Sequence, residues 1–256
     1  MKAAQILKQK INSGAPTLGV LATFHLWPGL IEIAMRAGAD YLIIDLEHLT
    51  HNHEKVAQMC ATGRMLDFPV LIRPPQADFI QVRLAGDLGP CGMLIPYVES
   101  VADLITVQDA IYLKPRGKRR PGGPGNRWTT DLNYAGWKAQ VEDDFIILPQ
   151  IESKAGLANV EAIARHSLTT AMAIGPYDLS ADFGLCWQPD APELAEAWKK
   201  IRSAATAAGK QMWVIGDSAE LIKQGYSFIC VGEPMAMVEG LLKQTVTTAR
   251  NLKSRA

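Results

Sequence analysis

The sequence lacks an excess of charge of either sign. Its 256 residues carry 26 basic and 26 acidic side chains, so the formal net charge is zero. A neutral chain has no overall field that would gather nucleic acid or an anionic membrane surface. We therefore expect partners to be recognised locally, and we expect neither nucleic acid nor a membrane among them.

Long apolar runs are also missing. A membrane-spanning helix needs roughly 20 consecutive apolar residues, and no run in the sequence approaches that length. The first ten residues, M-K-A-A-Q-I-L-K-Q-K, are basic, but no apolar block of the kind found in a secretory signal follows them. The cytoplasm is therefore the expected location.

Cysteines are few and scattered. Cys60, Cys91, Cys186 and Cys230 lie far apart and form no C-x-x-C pair, which argues against a zinc knuckle and against a disulfide framework. We expect reduced thiols in or near the core.

A dinucleotide-binding signature is absent as well. No strand-like run is followed by G-x-G-x-x-G opening a helix, which disfavours an open doubly wound sheet. The nearest look-alike, R-P-G-G-P-G-N-R-W at 120–128, follows a helix and contains two prolines, so it predicts a long surface loop. The wider basic segment from Lys114 to Asp131 is rich in glycine and proline, and we expect it to be mobile or lid-like.

The chain does contain a regular alternation of short runs rich in isoleucine, valine and leucine with helix-length segments. After a short leading helix at 3–12, eight strands alternate with eight helices over about 250 residues, which predicts an α/β fold, a closed parallel (β/α)8 TIM barrel. We expect a single domain spanning residues 1–256, for which a hydrophobic content of 48% provides an ample core. The predicted strands are 17–22, 41–45, 69–72, 92–95, 145–149, 170–174, 211–215 and 228–231. The predicted helices are 28–37, 53–64, 78–87, 101–112, 154–165, 192–208, 218–224 and 236–254.

The second predicted strand ends in a group of polar side chains. The run Y-L-I-I-D-L-E-H at 41–48 begins without polar alternation, which is typical of a parallel strand covered on both faces. Asp45, Glu47 and His48 then lie at its carboxyl end. In a parallel barrel this end faces the active site, so a carboxylate beside a titratable imidazole indicates chemistry there.

Two further carboxylates follow the fifth and sixth strands. Glu152 lies in L-P-Q-I-E-S-K-A-G-L and Asp178 in A-I-G-P-Y-D-L-S, on neighbouring strand ends. Two carboxylates there can hold a hard divalent cation, which prefers oxygen ligands and keeps positions open for a bidentate substrate. Taken singly, Glu152 has the alternative role of a helix cap and Asp178 that of a turn residue.

The third strand ends in an arginine. Arg73 closes the run V-L-I-R-P-P, and a guanidinium at the mouth of a barrel suits a carboxylate, a phosphate or a developing oxyanion. The structural alternative is an ion pair with Asp45 or Glu47 that only ties strand ends together.

These motifs together resemble the metal-dependent, class II pyruvate aldolases of the HpcH/HpaI family, in the phosphoenolpyruvate/pyruvate barrel superfamily. The resemblance extends from T-L-G-V at Thr17 to G-E-P-M-A-M at Gly232. It implies a (β/α)8 barrel that assembles as a homo-oligomer, a hexamer arranged as a trimer of dimers, with the last helix exchanged between partner subunits. The motifs that carry it are I-I-D-L-E-H, L-I-R-P, L-I-P-Y-V-E-S, P-R-G-K-R-R, Q-I-E-S-K-A-G-L-A-N and I-G-P-Y-D-L-S.

The resemblance also implies a role for each matching residue. His48 matches the base, Arg73 the charge-stabilising arginine, and Glu152 and Asp178 the ligands of a divalent metal: magnesium, manganese or cobalt. Asp87, in R-L-A-G-D-L-G, matches the acid that makes the histidine more basic, within the chain or across a subunit boundary. Asp45 is the nearer candidate by sequence for the same catalytic role beside the histidine. It is otherwise expected to orient a group or hold a water, and Glu47 to support the metal-bound waters without ligating the metal. The expected substrate contacts are Gln150, Gly175, Pro176 and Tyr177, together with Arg73.

The implied reaction joins a keto acid to an aldehyde or separates them. A 4-hydroxy-2-oxo acid would chelate the metal through its keto and carboxylate oxygens. His48, through a water, would take the proton from the 4-hydroxyl while the carbon–carbon bond breaks, and Arg73 would stabilise the metal-bound pyruvate enolate that forms beside the aldehyde.

This sequence departs from the family pattern in two places. Arg119 is followed by Arg120 and the Pro-Gly tract where the family usually reads R-G-x-R-G, and Tyr177 stands where a small residue is common, so it would narrow the pocket or contact the acceptor. The surrounding basic residues would receive an acidic substrate tail or would simply be solvated. They are Arg116, Lys118, Arg119, Arg120 and Arg127.

Three other functions stay open. His48, His51 and His53 offer the His-x-His spacing of a zinc hydrolase, although they follow the second strand and no histidine falls at a later strand end. Another enolate-forming lyase of the same superfamily, an acyl-CoA lyase, a phosphoenolpyruvate-linked enzyme or a decarboxylating synthase of the macrophomate synthase kind, would use the same residues. A non-enzymatic barrel that senses a keto acid would bind pyruvate and metal without turnover.

Overall fold

Eight parallel strands form a closed barrel in the computed structural model, which describes residues 1–122 and 133–253. Each strand is hydrogen-bonded to the next, and β8 closes the barrel against β1. The predicted (β/α)8 barrel is confirmed: β1, β2 and β4 have the predicted bounds, and the other strands differ by one or two residues at an end. The strands are β1 Thr17–Ala22, β2 Tyr41–Asp45, β3 Val70–Arg73, β4 Gly92–Ile95, β5 Ile146–Ile151, β6 Met172–Ile174, β7 Met212–Ile215 and β8 Phe228–Cys230.

The helices largely follow the sequence pattern. The predicted helix 154–165 is wrong as a single element, because it is divided at Asn159 into α7 and α8. The helices α6 and α9 and a π-helical turn at Lys138–Glu142 were not predicted. The helices are α1 Lys2–Ser13, α2 Gly29–Arg36, α3 His53–Met65, α4 Phe79–Asp87, α5 Val101–Ile111, α6 Tyr134–Trp137, α7 Lys154–Ala158, α8 Val160–Arg165, α9 Pro176–Asp182, α10 Pro192–Ala207, α11 Ser218–Lys223 and α12 Pro234–Lys253.

Polar side chains fix the start of several helices on the active-site side. Asn52 accepts a hydrogen bond from the Glu54 N–H at the start of α3, and Asp217 accepts one from the Glu220 N–H at the start of α11. Such side chains satisfy backbone N–H groups that have no partner within the helix. Asn52 and Asp217 are therefore helix caps.

The interior of the barrel is filled by large side chains from opposite strands. The Trp213 indole N–H donates a 2.8 Å hydrogen bond to the Tyr41 hydroxyl, and the Tyr41 and Phe228 rings meet edge to face at 5.1 Å. Gly19 makes room for them, because a Cβ there would lie 2.5 Å from the Tyr41 ring. All three aromatic side chains are fully buried.

The amino-terminal helix α1 closes the bottom of the barrel. Its apolar residues fall on one face at helical spacing and are buried in the same cluster as the interior side chains of the strands. A second, larger cluster lies between the strands and the surrounding helices. The opposite rim, where all eight strands end, is left for the loops. The buried residues of α1 are Ala3, Ala4, Leu7 and Ile11.

The last helix, α12, lies on the outside of the barrel. Its described side chains from Ala236 onwards are exposed, and large apolar ones occupy one side of it. None of the helices in the described ranges is long and apolar enough to cross a membrane. The exposed apolar residues of α12 are Met237, Val238, Leu241, Leu242, Val246 and Leu252.

The expectation for the cysteines is confirmed at three positions and wrong at one. Cys60, Cys91 and Cys230 are buried free thiols, whereas Cys186 is exposed in the loop after α9. Burial raises the pKa of each of the three buried thiols to about 12.

The basic segment after α5 is only partly described. Arg116 contacts Glu142 and Asp143, at 3.2 and 2.9 Å, and Lys118 pairs with Asp109 at 2.5 Å. These cations thus have acidic partners within the chain, which argues against their receiving an acidic substrate tail. The rest of the predicted lid, residues 123–131 with Arg127, lies outside the described residues.

Candidate active site

A buried ion pair joins the ends of β2 and β3. Asp45 and Arg73 are register partners, and the Arg73 Nε and Nη2 groups donate hydrogen bonds of 2.9 and 2.7 Å to the Asp45 carboxylate. The Thr23 hydroxyl and the Glu47 N–H also donate to this carboxylate, each at 3.0 Å. Burial raises the pKa of Asp45, but the Arg73 hydrogen bonds and charge outweigh it, so the pKa lies below its usual value. The structural alternative for Arg73 therefore does occur, and it also fixes the direction of the guanidinium.

Glu47 and His48 lie beside this pair. The Glu47 carboxylate is 3.1 Å from Arg73 Nη1 and 3.9 Å from His48 Nε2. Burial raises the pKa of Glu47, although Arg73 and His48 act in the opposite direction. The His48 side chain is 51% exposed, so its imidazole is accessible from the rim while a carboxylate stands behind it.

Glu152 is the carboxyl group at the rim whose pKa is shifted most. It is 2% exposed, and its Oε2 atom accepts a 2.7 Å hydrogen bond from the Tyr97 backbone N–H. Burial, together with the negative charge of Glu47 and Asp178, raises its pKa to about 8, against the opposing effects of Tyr97 and Arg73. Glu152 directly follows β5, and its interactions with Glu47 and Arg73 show that it lies at the same rim as the residues that follow β2 and β3. Its alternative role as a helix cap is wrong, since Ser153 caps α7.

The start of α9 forms the neighbouring part of the rim. Gly175 precedes this helix and Pro176 is its first residue, where the missing N–H of proline is harmless. Asp178 lies exposed in the first turn and interacts electrostatically with Glu47 and Glu152. Tyr177 is 57% exposed. The alternative role of Asp178 as a turn residue is wrong, because the segment is the first turn of a helix.

The residues at this rim fit a divalent cation. The buried Glu152 carboxylate is repelled by the negative charge of Glu47 and Asp178, and a cation would remove this repulsion. The Gln150 Oε1 atom is buried and accepts no hydrogen bond from the described residues. Among the residues that the structure describes, no three His, Cys, Asp or Glu side chains converge on one point. Water or substrate oxygens would thus complete the coordination of a cation held by Glu152 and Asp178, which is an open site of the kind that magnesium accepts.

Asp87 does not meet His48 within the chain but lies in a separate group of charges. Its carboxylate pairs with Arg83 Nη1 at 2.7 Å and with Arg119 Nη2 at 2.8 Å. Arg119 is 3% exposed and lies over the Trp137 ring, 5.2 Å from its centroid. The Asp87 side chain remains 41% exposed at the surface.

The other histidines near β2 have different surroundings. The His51 Nε2 atom is 2.7 Å from the Thr23 carbonyl oxygen, which ties the loop after β2 to the end of β1. His53 is the exposed first residue of α3. The bond of His51 to a backbone carbonyl oxygen and the exposed position of His53 on α3 do not support a zinc hydrolase.

Two residues of the rim were not predicted from the sequence. Thr23 follows β1 and binds Asp45, and Tyr97 follows β4 and binds Glu152 through its backbone. The position just past a strand was the available signal for both. A hydroxyl and a main-chain N–H nevertheless carry no charge that would single them out.

Ionisable groups gathered at this end of a closed parallel barrel define a TIM-barrel enzyme.

Comparison with known proteins identifies the family. Residues 26–237 match the model of the HpcH/HpaI aldolase/citrate lyase family, and the chain belongs to that family. It is 30% identical over 250 residues to the hydroxypyruvate/pyruvate aldolase of Pseudomonas aeruginosa, covering 93% of this chain and 90% of the relative. It is 31% identical over 238 residues to the 4-hydroxy-2-oxo-heptane-1,7-dioate aldolase of Salmonella heidelberg (strain SL476), covering 88% of this chain and 87% of the relative.

Solved structures agree with this assignment. An HpcH/HpaI aldolase from Desulfitobacterium hafniense DCB-2 has a TM-score of 0.87 and 26% identity, covering 96% of both chains. Macrophomate synthase has a TM-score of 0.85 and 25% identity, covering 99% of this chain and 91% of that one. The resemblance read from the motifs is confirmed, and the protein is a carbon–carbon lyase rather than a non-catalytic sensor.

Proposed function

We propose that the protein is a metal-dependent aldolase that cleaves or forms 4-hydroxy-2-oxo acids, with pyruvate and an aldehyde as the other pair of reactants. The observation that carries this proposal is the buried Glu152 carboxylate, which interacts with Arg73, Glu47 and Asp178 at the carboxyl rim of the barrel. The two aldolases named above, which resemble the chain over most of its length, support the same class of substrate.

Glu152 and Asp178 are the residues that would hold the cation: magnesium, manganese or cobalt. Such a cation supplies Lewis acidity, which polarises a keto group and favours its enolate. The unpaired Gln150 Oε1 would accept a hydrogen bond from a water or hydroxyl group there. The backbone at Gly175 and Pro176 and the exposed Tyr177 phenol would line the pocket beside them.

Arg73 would stabilise the negative charge of the enolate. Its guanidinium is 4% exposed and held by Asp45 and Glu47, so no reorganisation is needed when charge develops. A guanidinium has more N–H donors than these contacts use, which leaves some of them for the substrate. Asp45 then acts by holding Arg73 in place, and Glu47 stands between Arg73 and His48.

His48 would act as the base. It would take the proton of the substrate 4-hydroxyl, directly or through a water, while the bond between C3 and C4 breaks. The electrons of that bond pass to the pyruvyl fragment as its enolate, and the former hydroxyl carbon leaves as an aldehyde. Protonation of C3 completes pyruvate, and condensation is the reverse. Asp87, exposed and 2.7 Å from Arg83, would reach a histidine only across a subunit boundary.

The assembly is part of the proposal. Exposed apolar residues along one side of α12, among them Leu241 at 65% and Leu242 at 60%, favour burial against a second copy of the chain. We propose a homohexamer, a trimer of dimers in which α12 is exchanged, built from one catalytic domain at 1–256. A cytoplasmic location stays a prediction. Sedimentation of the protein and of the double variant L241E/L242E would test the assembly, which should dissociate in the variant.

A screen of the purified protein tests the function. It would be incubated with pyruvate, a panel of aldehydes and magnesium, manganese or cobalt, and condensation products would be detected by mass. We expect a product, its loss on chelation, and no adduct trapped by borohydride with pyruvate. The absence of any product, together with no deuterium exchange into pyruvate, would refute the aldolase; a trapped lysine adduct would refute the metal mechanism.

The second candidate is another enolate-forming lyase of the superfamily: an acyl-CoA lyase, a phosphoenolpyruvate-linked enzyme or a decarboxylating synthase. The similarity to macrophomate synthase at a TM-score of 0.85 is the observation that favours it. Deuterium exchange into pyruvate without any aldehyde condensation would support this candidate.

A further inference from the structure

Tyr97 adopts a backbone conformation that is unusual for its residue type. Its φ angle is +52°, in the left-handed region, between the buried residues Pro96 and Val98. Among the described residues only Asp67 and Trp187 share this property without being glycine. Residues other than glycine, asparagine and aspartate rarely adopt it, and when they do the surrounding contacts must maintain it.

The contacts of this turn lead to β5. The Tyr97 N–H donates a 2.7 Å hydrogen bond to Glu152 Oε2, and the next N–H, that of Val98, donates a 3.1 Å hydrogen bond to the Gln150 carbonyl oxygen. Two successive backbone donors thus bind Gln150, in β5, and Glu152, directly after it. Their direction depends on the left-handed residue between Pro96 and Val98.

The other oxygen of Glu152 is restricted as well. A Cβ at position 175 would lie 2.0 Å from Glu152 Oε1, so the carboxylate fills the space that the missing side chain of Gly175 leaves. One oxygen of the carboxylate is therefore fixed by a main-chain donor, and the other is confined by the backbone of Gly175. The Tyr97 side chain, in contrast, is 51% exposed.

We propose that Tyr97 is a positioning residue whose left-handed backbone directs its N–H to Glu152 and so fixes that carboxylate in the orientation that binds the divalent cation. This inference rests on the proposed function in naming Glu152 as a ligand. The backbone conformation carries the effect, and the phenol does not. Residues that support ligands in this way commonly change metal affinity when they are altered.

Substitutions at position 97 separate the backbone from the side chain. Tyr97→Phe keeps the ring, while Tyr97→Asn and Tyr97→Gly accept a positive φ. Tyr97→Val opposes it, because β-branched residues are least tolerant of that region. Asp67→Val is the matched control, since it introduces the same conflict, at φ +55°, between α3 and β3 at the other end of the barrel.

The measurement is the dissociation constant of Mn²⁺ for the substrate-free full-length proteins, by electron paramagnetic resonance, with thermal unfolding of each. We expect the Phe, Asn and Gly variants and Asp67→Val to bind Mn²⁺ as the parent does, and Tyr97→Val to bind it about 10- to 100-fold more weakly. With pyruvate exchange as a second readout, Tyr97→Val should recover its rate when Mn²⁺ is raised to saturation.

Two results would overturn the inference: a folded Tyr97→Val that binds Mn²⁺ like the parent, or equal weakening in the Phe and Gly variants, which would assign the effect to the phenol. If Tyr97→Val does not fold, Tyr97→Ala against Tyr97→Gly makes the same comparison, with Ala expected to be the weaker. A parent that binds Mn²⁺ but neither condenses an aldehyde nor exchanges deuterium into pyruvate would refute the proposed function while leaving this inference intact. A parent without Mn²⁺ affinity would refute both.

Discussion

Asp45 and Arg73 face each other at the last paired position of β2 and β3 and are joined by two hydrogen bonds, of 2.9 and 2.7 Å. Both side chains are buried, so each neutralises a charge that the barrel would not tolerate alone. The pair therefore has a structural role, and in the proposed mechanism it also holds the Arg73 guanidinium in place for the substrate.

The first prediction concerns the stability of this pair. Asp45→Ala should lower the free energy of unfolding by about 3–5 kcal/mol, because it leaves the buried Arg73 without its main partner. Denaturant unfolding measures the change. Glu196→Ala is the control: it removes the exposed ion pair with Lys199 and should change stability by less than about 1 kcal/mol. An equal, small effect at both positions would contradict the prediction.

The second prediction concerns Gly175. In Gly175→Ala the new Cβ would meet Glu152 Oε1 at 2.0 Å, so the carboxylate must move. We expect the affinity for Mn²⁺ to fall about 10- to 100-fold, measured by titration of the substrate-free protein. Gly86→Ala is a matched control, because its Cβ would make only an ordinary contact of 3.6 Å with Met93. Unchanged metal affinity in Gly175→Ala would show that the carboxylate can turn freely.

The third prediction separates the histidines. His48→Asn should lower the rate of aldol cleavage by about 10²- to 10⁴-fold, the usual contribution of a general base, with metal content unchanged. His51→Ala and His53→Ala should keep their metal and most of their activity, because the His51 ring bonds the Thr23 carbonyl oxygen and His53 begins α3. Metal analysis and steady-state rates on all three would test this. Loss of metal from His51→Ala would contradict this prediction and favour a zinc site that includes His51.

The fourth prediction concerns thiol reactivity. At pH 8 a thiol-alkylating reagent should modify Cys186 alone in the folded protein, because the pKa of the three buried thiols is raised to about 12 and they hold their proton well above neutral pH. Mass spectrometry should find one modification, four after denaturation, and none in folded Cys186→Ser. More than one modification of the folded protein would mean that the barrel opens readily.

Much of the fold was predictable from the sequence because the strands are short, apolar and buried on both faces. The run at 41–45 has no polar residue before Asp45, and its bounds were predicted without error. The break at Asn159 was not predictable, since the Asn159 amide donates to the Glu99 carbonyl oxygen, 2.9 Å away in another part of the chain. The helix at Pro176 was missed because glycine followed by proline is also typical of a turn.

The candidate site was predictable in its charged residues but only partly in their partners. His48, Arg73 and Glu152 each come directly at or after a strand, and parallel strands bring such positions to one rim. The sequence offered the ion pair of Arg73 with Asp45 only as an alternative, because the register of β2 and β3 decides which side chains meet. It did not reveal the Tyr97 N–H, because the φ angle of a single residue is set by the contacts around it.

The hydrogen bond between Trp213 and Tyr41 has a consequence for how the chain folds. The two residues are 172 positions apart, yet they meet in the middle of the barrel. Contacts between such distant segments form late and slow the folding of a domain, since a long loop must close before they gain any stability. Trp213 of β7 can reach Tyr41 of β2 only when both segments have joined the barrel, so we expect a variant that keeps Trp213 as its single tryptophan to show this step as a fluorescence change during refolding.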